Sequence, residues 1–242
     1  FIKDCDLDFY SPLNVILDKK SKRENILRNL NNFTNIVVKK DGLCGGKGVI
    51  VQGVDFENKE DVIDNILESI QNNEKVLIED KLIGEEFSLM SITDGNGNIK
   101  HFPPIQDYKR LNEGDNGPNT GGMGCVIDVN NTLPFLTSDD IRDTKTINTE
   151  VIRKINKLKE EKQLSTGYRG VLYGSYIKTS KGIYIIEFNC RFGDPECIIA
   201  LSLLESNFYS LCLQTITGNL VEPLVFSQDA MICLYAVPEK YP

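Results

Sequence analysis

A chain of 242 residues is long enough for one large domain or two modest ones, and 27 lysines and arginines against 35 aspartates and glutamates leave a net charge of −8, which argues against nucleic acid or an anionic membrane as the main partner. Seven cysteines without paired spacing and a single histidine, His101, fit neither a disulfide framework nor a structural zinc knuckle. No run approaches the roughly 18 apolar residues of a membrane span and no signal segment opens the chain, so the expected setting is the cytoplasm and the expected ligands are small molecules.

The chain begins at Phe1 and reads as a piece of a longer protein. The Lys- and Asn-rich stretch 18–35 predicts one helix at about residues 21–31 with a solvated polar face. Asn35 to Lys40 and Val49 to Gln52 have strand composition and flank a glycine-rich loop from Gly42 to Gly48, the pattern of a hairpin. Val62, Ile63, Ile66, Leu67 and Ile70 have helical spacing within 57–72, and Val76 to Glu79 is the next strand. After Gly84 the alternation Phe87, Leu89, Ser91 leads into the turn Asp94-Gly95-Asn96-Gly97 and resumes at Ile99, as a hairpin would. Residues 103–124 are rich in proline and glycine and are expected to form a long functional loop. A helix over 138–163, strands over 170–178 and 183–190, a helix from Pro195 to about 204, another over 207–217 and a strand from Met231 to Val237 complete the order. Hairpins alternating with helices, with little sign of a βαβ repeat, predict an α+β fold and argue against a doubly wound nucleotide fold.

Four segments carry chemistry. Residues 39–48, Lys-Lys-Asp-Gly-Leu-Cys-Gly-Gly-Lys-Gly, bring backbone N–H groups and lysines within reach of phosphate, although a glycine hairpin can also be a plain turn. They are not a Walker A loop, because Lys47 is followed by Gly48 and no Ser or Thr metal ligand follows. Residues 78–86, Ile-Glu-Asp-Lys-Leu-Ile-Gly-Glu-Glu, form a hinge whose backbone, through Lys81 and Leu82, could meet an adenine while Glu79 or Glu86 accepts from ribose hydroxyls; Glu85 and Glu86 could equally be a solvated pair. The polar stretch from Gln106 to Arg110 and from Gly114 to Gly124 is suited to closing over a reactive intermediate and excluding water. In Ile-Ile-Glu-Phe-Asn-Cys-Arg-Phe-Gly-Asp-Pro-Glu, residues 185–196, strand alternation sends Glu187, Asn189 and Arg191 to one face and Ile186, Phe188 and Cys190 to the other. Glu with Asn is an oxygen pair suited to Mg²⁺, and Arg191 could clamp phosphoryl oxygens.

Lys39 with the Asp-Gly-Leu…Gly-Lys-Gly-Val hairpin, the Ile-Glu…Gly-Glu-Glu hinge, Gln-Asp…Lys-Arg with Gly-Pro-Asn-Thr-Gly-Gly-Met-Gly, and Glu-Phe-Asn-Cys-Arg-Phe-Gly-Asp-Pro-Glu occur here in one order. In this the chain resembles the glycinamide ribonucleotide synthetases, or phosphoribosylamine–glycine ligases, of the ATP-grasp superfamily, from about residue 33 to the end; residues 1–32 match weakly. The resemblance implies an ATP-grasp fold in which two α+β subdomains grip the nucleotide: a small lid over 33–95, a larger subdomain with metal and substrate loops over 96–228, a partial linker or edge segment over 1–32 and the start of a further region over 229–242. It implies that ATP phosphorylates glycine and that the amine of 5-phosphoribosylamine attacks the acyl phosphate, within de novo purine synthesis. Lys39 and Lys47, with Gly45 and Gly46, would hold ATP phosphates; Glu187 and Asn189 would hold Mg²⁺ or Mn²⁺; Lys47 and Arg191 would act on the transferring phosphoryl group. Asp107, Lys109, Asn119, Thr120, Gly121 and Asp194 match segments that face the acceptor substrates. Cys44 and Gly45 stand where the family has two alanines, Tyr108 where it has a histidine and Gly174 where it has an alanine, and the family's N- and C-terminal domains are absent. Another ATP-grasp carboxylate–amine ligase and a nucleotide-binding module without turnover are the competing readings, and a parent fused to other purine-pathway domains is left open.

Overall fold

The computed structural model describes residues 2, 5–42, 48–72, 74–114, 116–162 and 164–241, Glu160 by its backbone alone. The chain forms two compact units, residues 11–83 and residues 1–10 with 84–242.

In the smaller unit, β1 (Asn14–Leu17), β2 (Ile36–Lys40), β3 (Val49–Val51) and β4 (Val76–Asp80) form an antiparallel sheet in the order β1-β4-β2-β3. Strand β1 was not expected; its four residues carry no clean alternation, and pairing with β4 rather than composition makes it a strand. Helices α1 (Arg23–Leu30) and α2 (Ile63–Gln71) bury Ile26, Leu30, Ile63, Ile66 and Ile70 against Ile36, Val38, Val76 and Ile78. The pleat therefore turns Lys39 and Glu79 to the sheet face away from this core. Helix α2 begins later than its apolar spacing suggested, because a 3-10 turn over Lys59–Val62, fastened by the Asn58 N–H to the Asp61 carboxylate at 3.1 Å, takes up the first residues.

In the larger unit, β5 (Glu85–Asp94), β6 (Ile99–Asn112), β7 (Asn116–Ile127), β8 (Arg169–Thr179), β9 (Gly182–Asn189) and β10 (Met231–Leu234) form an antiparallel sheet in the order β10-β7-β6-β5-β8-β9. Strand β5, grouped by the sequence reading with residues 33–95, pairs with β6 and β8 of this sheet. The expected loop over 103–124 is a long hairpin instead, β6 and β7. Its prolines mislead because the ladder is irregular where they sit: β5 and β6 slip register between Leu89 and Ser91, opposite 101–104, and pairing with β7 begins only at Gln106, so no regular bond is lost for want of a proline N–H. One sheet face packs Phe87, Leu89, Leu172, Tyr176, Ile183 and Ile185 under α3 (Ser138–Glu161), which supplies Ile147, Val151 and Ile152. The other packs Met90, Ile92, Phe102, Ile105, Cys125, Ile127 and Val171 under α4 (Glu196–Leu203) and α5 (Phe208–Thr217). No described helix is long and apolar enough to cross a membrane.

Helix α3 starts on a reciprocal cap. The Thr137 N–H donates to Asp140 Oδ2 at 2.9 Å, the Asp140 N–H donates to Thr137 Oγ1 at 3.2 Å, and Lys178 of β8 reaches Asp140 Oδ1 at 2.5 Å. Burial alone would raise the Asp140 carboxyl, but the bonds from Lys178 and Thr137 outweigh it and hold the carboxyl below its ordinary value of 3.8. A depressed folded-state pKa stabilises the fold above the unfolded value, and that contribution is lost as pH falls through the folded one. Asp140→Asn is expected to cost about 1–3 kcal/mol in urea denaturation at pH 7, with the gap to wild type closing as the pH drops below 3.8. A gap that persisted unchanged into acid would show that the carboxylate charge is not what the cap uses.

Candidate active site

The sheet face that carries the second core is apolar at one end and polar at the other. Side chains two apart share a face, so Glu86 and Ser88 follow Met90 on β5, Asp107 and Lys109 follow Ile105 on β6, and Ser175 follows Tyr173 on β8. Strand β9 joins this face through a bulge. Ser175 and Tyr176 are consecutive on β8 but oppose Glu187 and Ile185, so Ile186 is an extra residue. Before it, Ile183 and Ile185 face α3; after it, Phe188 packs on that same core, which leaves Glu187 and Asn189 on the polar side. Unbroken alternation from Ile183 would have sent Glu187 into the core. Glu187 and Asn189 share a face as their spacing predicts, while the bulge that sets which face it is shows only against β8.

The Asn189 amide donates to Glu187 Oε1 at 2.8 Å, so the two side chains stand together, Glu187 exposed and Asn189 half-buried. No group of three or more His, Cys, Asp or Glu side chains suited to a metal occurs among the described residues. A carboxylate with one amide oxygen fits a hard cation that takes its remaining ligands from water and phosphate, and does not fit a metal held by protein alone. Arg191 lies in the exposed turn after β9; its Nη1 donates to the Phe192 carbonyl at 2.8 Å, and its guanidinium carbon is 5.8 Å from the centroid of the Tyr173 ring.

Further along the same sheet face, on β6 and β5, lies a set of charges around the buried Asp107. Lys109 is 3.2 Å from Glu86 and 3.4 Å from Asp107, whose side chain is only 5% exposed. Burial alone would lower the Lys109 pKa, but Asp107 and Glu86 together raise it, so the ammonium stays charged. Among the described residues, neither Asp107 Oδ1 nor the Ser175 hydroxyl, both buried, has a hydrogen-bond partner. An orphaned buried carboxylate oxygen is costly, and its place on a polar face marks a seat for a donor. Glu196, at the start of α4, is buried; desolvation and then the nearby Asp107 raise its carboxyl, while the bond from the Tyr173 hydroxyl at 2.7 Å opposes them.

The β7 end of the hairpin reaches the same region. Thr120 Oγ1 donates to the Lys109 carbonyl at 2.9 Å and accepts from the Gly122 N–H at 3.0 Å, while Asn119 and Gly121 are exposed. Gly122 has φ +143°, and a Cβ there would lie 2.7 Å from Pro195 Cδ and 2.9 Å from the Asp194 carbonyl oxygen. Only glycine allows that approach, which joins residues 119–122 to Asp194. The Tyr235 hydroxyl donates to Asp194 Oδ1. Residue order alone does not single out Tyr173, Ser175, Tyr235 or Glu196. For Tyr173 and Ser175 the signal is cross-strand register, Tyr173 opposite Asn189 and Ser175 opposite Glu187; Tyr235 and Glu196 show only through their bonds to Asp194 and Tyr173.

In the smaller unit, Lys39 Nζ is 2.6 Å from Glu79 Oε2, both largely buried. Glu79 is thus a partner of the lysine as well as a hinge residue. Lys81 donates through Nζ to the Gln52 carbonyl at 2.8 Å and through its backbone N–H to the Asn35 carbonyl, and Leu82 follows in the extended link beyond β4. Gly45, Gly46 and Lys47 lie outside the described residues.

The model of the phosphoribosylglycinamide synthetase ATP-grasp (A) domain matches residues 9–197. The chain belongs to this family. It is 41% identical over 209 residues to the phosphoribosylamine–glycine ligase of Methanosarcina acetivorans, covering 86% of this chain and 46% of that protein. It is 36% identical over 248 residues to the same-named ligase of Methanothermobacter thermautotrophicus, covering all of this chain and 55% of the relative. The chain therefore spans about half the length of the curated relatives it matches. The crystal structure of the Thermotoga maritima phosphoribosylamine–glycine ligase superposes on 100% of this chain and 58% of its own with a TM-score of 0.79 at 28% identity. An ADP complex of an N5-carboxyaminoimidazole ribonucleotide synthetase, 17% identical, covers 96% of this chain and 52% of its own with a TM-score of 0.62, a likeness of fold alone. The expected α+β class is borne out: the fold is an ATP-grasp fold with antiparallel sheets.

Proposed function

We propose that this chain is the ATP-grasp part of a cytoplasmic phosphoribosylamine–glycine ligase, which joins glycine to 5-phosphoribosylamine at the expense of ATP. The observation that carries the reading is the Glu187–Asn189 pair set on the same sheet face as the buried Asp107, in a chain of this family. The unit 11–83 takes the lid role and the unit beginning at residue 84 the substrate and metal role. Lys39 and Lys47 with Gly45 and Gly46 meet ATP phosphates, and phosphate must compete with Glu79 for Lys39. The backbone near Lys81 and Leu82 serves the adenine and Glu86 the ribose.

Glu187 and Asn189 would hold Mg²⁺ or Mn²⁺, which when bound neutralises charge on the β- and γ-phosphates. A glycine carboxylate oxygen attacks the γ-phosphorus, the bond to the ADP oxygen breaks, and glycyl phosphate forms. Arg191 stabilises charge on the phosphoryl oxygens in transit. The 5-phosphoribosylamine nitrogen then attacks the acyl carbon, phosphate leaves with the former carboxylate oxygen, and the nitrogen loses a proton. Asp107 Oδ1 accepts from the glycine ammonium, which supplies the donor it lacks. Asn119, Thr120 and Gly121 with Asp194 border the acceptor.

The test is ADP and glycinamide ribonucleotide measured together in the full-length protein, alongside calorimetric titration of the 242-residue chain with Mg·ATP. ADP formation that needs both glycine and phosphoribosylamine, matched one to one by ribonucleotide, is expected. Binding of Mg·ATP with no turnover under any substrate combination would favour a nucleotide-binding module instead.

A further inference from the structure

We propose that Tyr173 and Glu196 form a positioning pair for Arg191, the Tyr173 ring serving as the platform on which the guanidinium rests and Glu196 fixing that ring from its buried side. The inference rests on the reading of Arg191 as the group that meets the transferring phosphoryl.

Arg191 sits in an exposed turn, where a guanidinium samples many rotamers and loses that freedom each time it must meet a phosphoryl group. Here two contacts narrow the choice: the 2.8 Å bond to the Phe192 carbonyl and the Tyr173 ring 5.8 Å away, within reach of a cation–π attraction. The platform itself is held. Tyr173 is 5% exposed on β8, directly opposite Asn189, so the ring and the proposed metal ligand have a common register. Its hydroxyl donates to Glu196 Oε1 at 2.7 Å, and Glu196, 2% exposed, is anchored at the first residue of α4.

Gly193 ties this pair to the turn. A Cβ at that position would lie 2.5 Å from Glu196 Oε2 and 2.6 Å from Tyr173 Cε2, so the missing side chain is the space that both groups fill. The Gly193 N–H is spent on Met90 Sδ at 3.4 Å. The turn carrying Arg191 is thus clamped from β5, β8 and α4. A merely packed tyrosine has no need of a buried carboxylate, whose desolvation is costly. A ring that must stay at one angle under a guanidinium does.

The decisive experiment is a double-mutant cycle in the full-length protein, read on glycine-dependent ATP turnover. Tyr173→Leu is expected to lower kcat about 10- to 100-fold with KM for ATP within about 3-fold, whereas Tyr173→Phe, which keeps the ring, stays within about 5-fold. In an Arg191→Ala background Tyr173→Leu should change kcat by less than about 2-fold, because its effect passes through the arginine. Equal losses in both backgrounds, or Phe as damaging as Leu, would overturn the proposal. If Tyr173→Leu does not fold, Glu196→Met, similar in length but without the acceptor, takes its place: it breaks the same bond as Tyr173→Phe, so a loss of up to about 5-fold that vanishes in the Arg191→Ala background is expected, and an equal loss in both backgrounds would overturn the proposal. An arm independent of turnover is the Arg191 Nε–Hε resonance in the 242-residue chain. It should be ring-shifted away from the other exposed arginines in wild type, less so in Tyr173→Phe and Glu196→Met, which both lose the bond that fixes the ring, and should rejoin them in Tyr173→Leu. A wild-type signal already among the exposed arginines would overturn the platform even if the ligase reading stands. Absence of glycine-dependent turnover in wild type would fell the ligase reading and leave the platform to be decided by the resonance.

Discussion

Glu187→Gln and Asn189→Ala, each in the full-length protein, are expected to reduce turnover by about 10² to 10⁴ while leaving the fold intact. The asymmetry follows from placement. Glu187 is exposed and, among the described residues, bonded sideways to Asn189, and neither side chain belongs to either core of the larger unit, so neither change opens a cavity or strands a buried charge. What is lost is charge neutralisation at the phosphates, realised mainly as the γ-phosphoryl group moves. Turnover at saturating Mg·ATP, with urea denaturation of the same preparations, separates the two effects. Near-normal kcat in either variant would mean that the pair does not hold the metal.

Asp107→Asn is expected to damage use of glycine and spare ATP. The carboxylate has one oxygen toward Lys109 and the other buried with no partner among the described residues, so the amide would present a donor or a weaker acceptor where an ammonium is to be received. Losing a charged hydrogen bond in a desolvated site costs about 2–4 kcal/mol, or roughly 30- to 1,000-fold in kcat/KM for glycine. The affinity for Mg·ATP should stay within about 3-fold, since the lost bond is specific to the amine substrate. Equal losses for ATP and glycine would place Asp107 in the nucleotide site or in the scaffold.

Much of the fold was legible because local rules and tertiary context agree. The helical spacing of Ile63 to Ile70, the Asp94–Gly97 turn and the strand pair around Thr179–Gly182 are all where periodicity and turn chemistry put them. The failures have one source, strand pairing at a distance. Proline and glycine made 103–124 look irregular, yet a strand is defined by its neighbours, and β5 and β7 supply them. The four residues of β1 carry no pattern of their own, and β4 orders them. At the site, the chemistry of Glu187, Asn189 and Arg191 was visible in residue type, but the bulge at Ile186 was not, since an extra residue shows only against the partner strand.

The same holds for Tyr108 and Gly174, expected from the resemblance to depart from the family's pattern. Tyr108 is exposed and its hydroxyl donates to Gln106 Oε1 at 3.2 Å. Gly174 has a structural reason: a Cβ there would lie 2.4 Å from the Tyr176 hydroxyl and 2.6 Å from Asn148 Oδ1, which are bonded to each other. Glycine at 174 and the buried Tyr176–Asn148 bond are therefore a matched set, which a substitution read alone does not reveal.

A ligase that works through glycyl phosphate must have the glycine carboxylate itself attack phosphorus. Glycine labelled with ¹⁸O in its carboxylate, turned over by the full-length protein with Mg·ATP and 5-phosphoribosylamine, tests this directly. The mechanism predicts one labelled oxygen in each inorganic phosphate released, in step with glycinamide ribonucleotide formed. Ribonucleotide formed with unlabelled phosphate would contradict it, because the carboxylate oxygen would then have left by a route that never passed through glycyl phosphate.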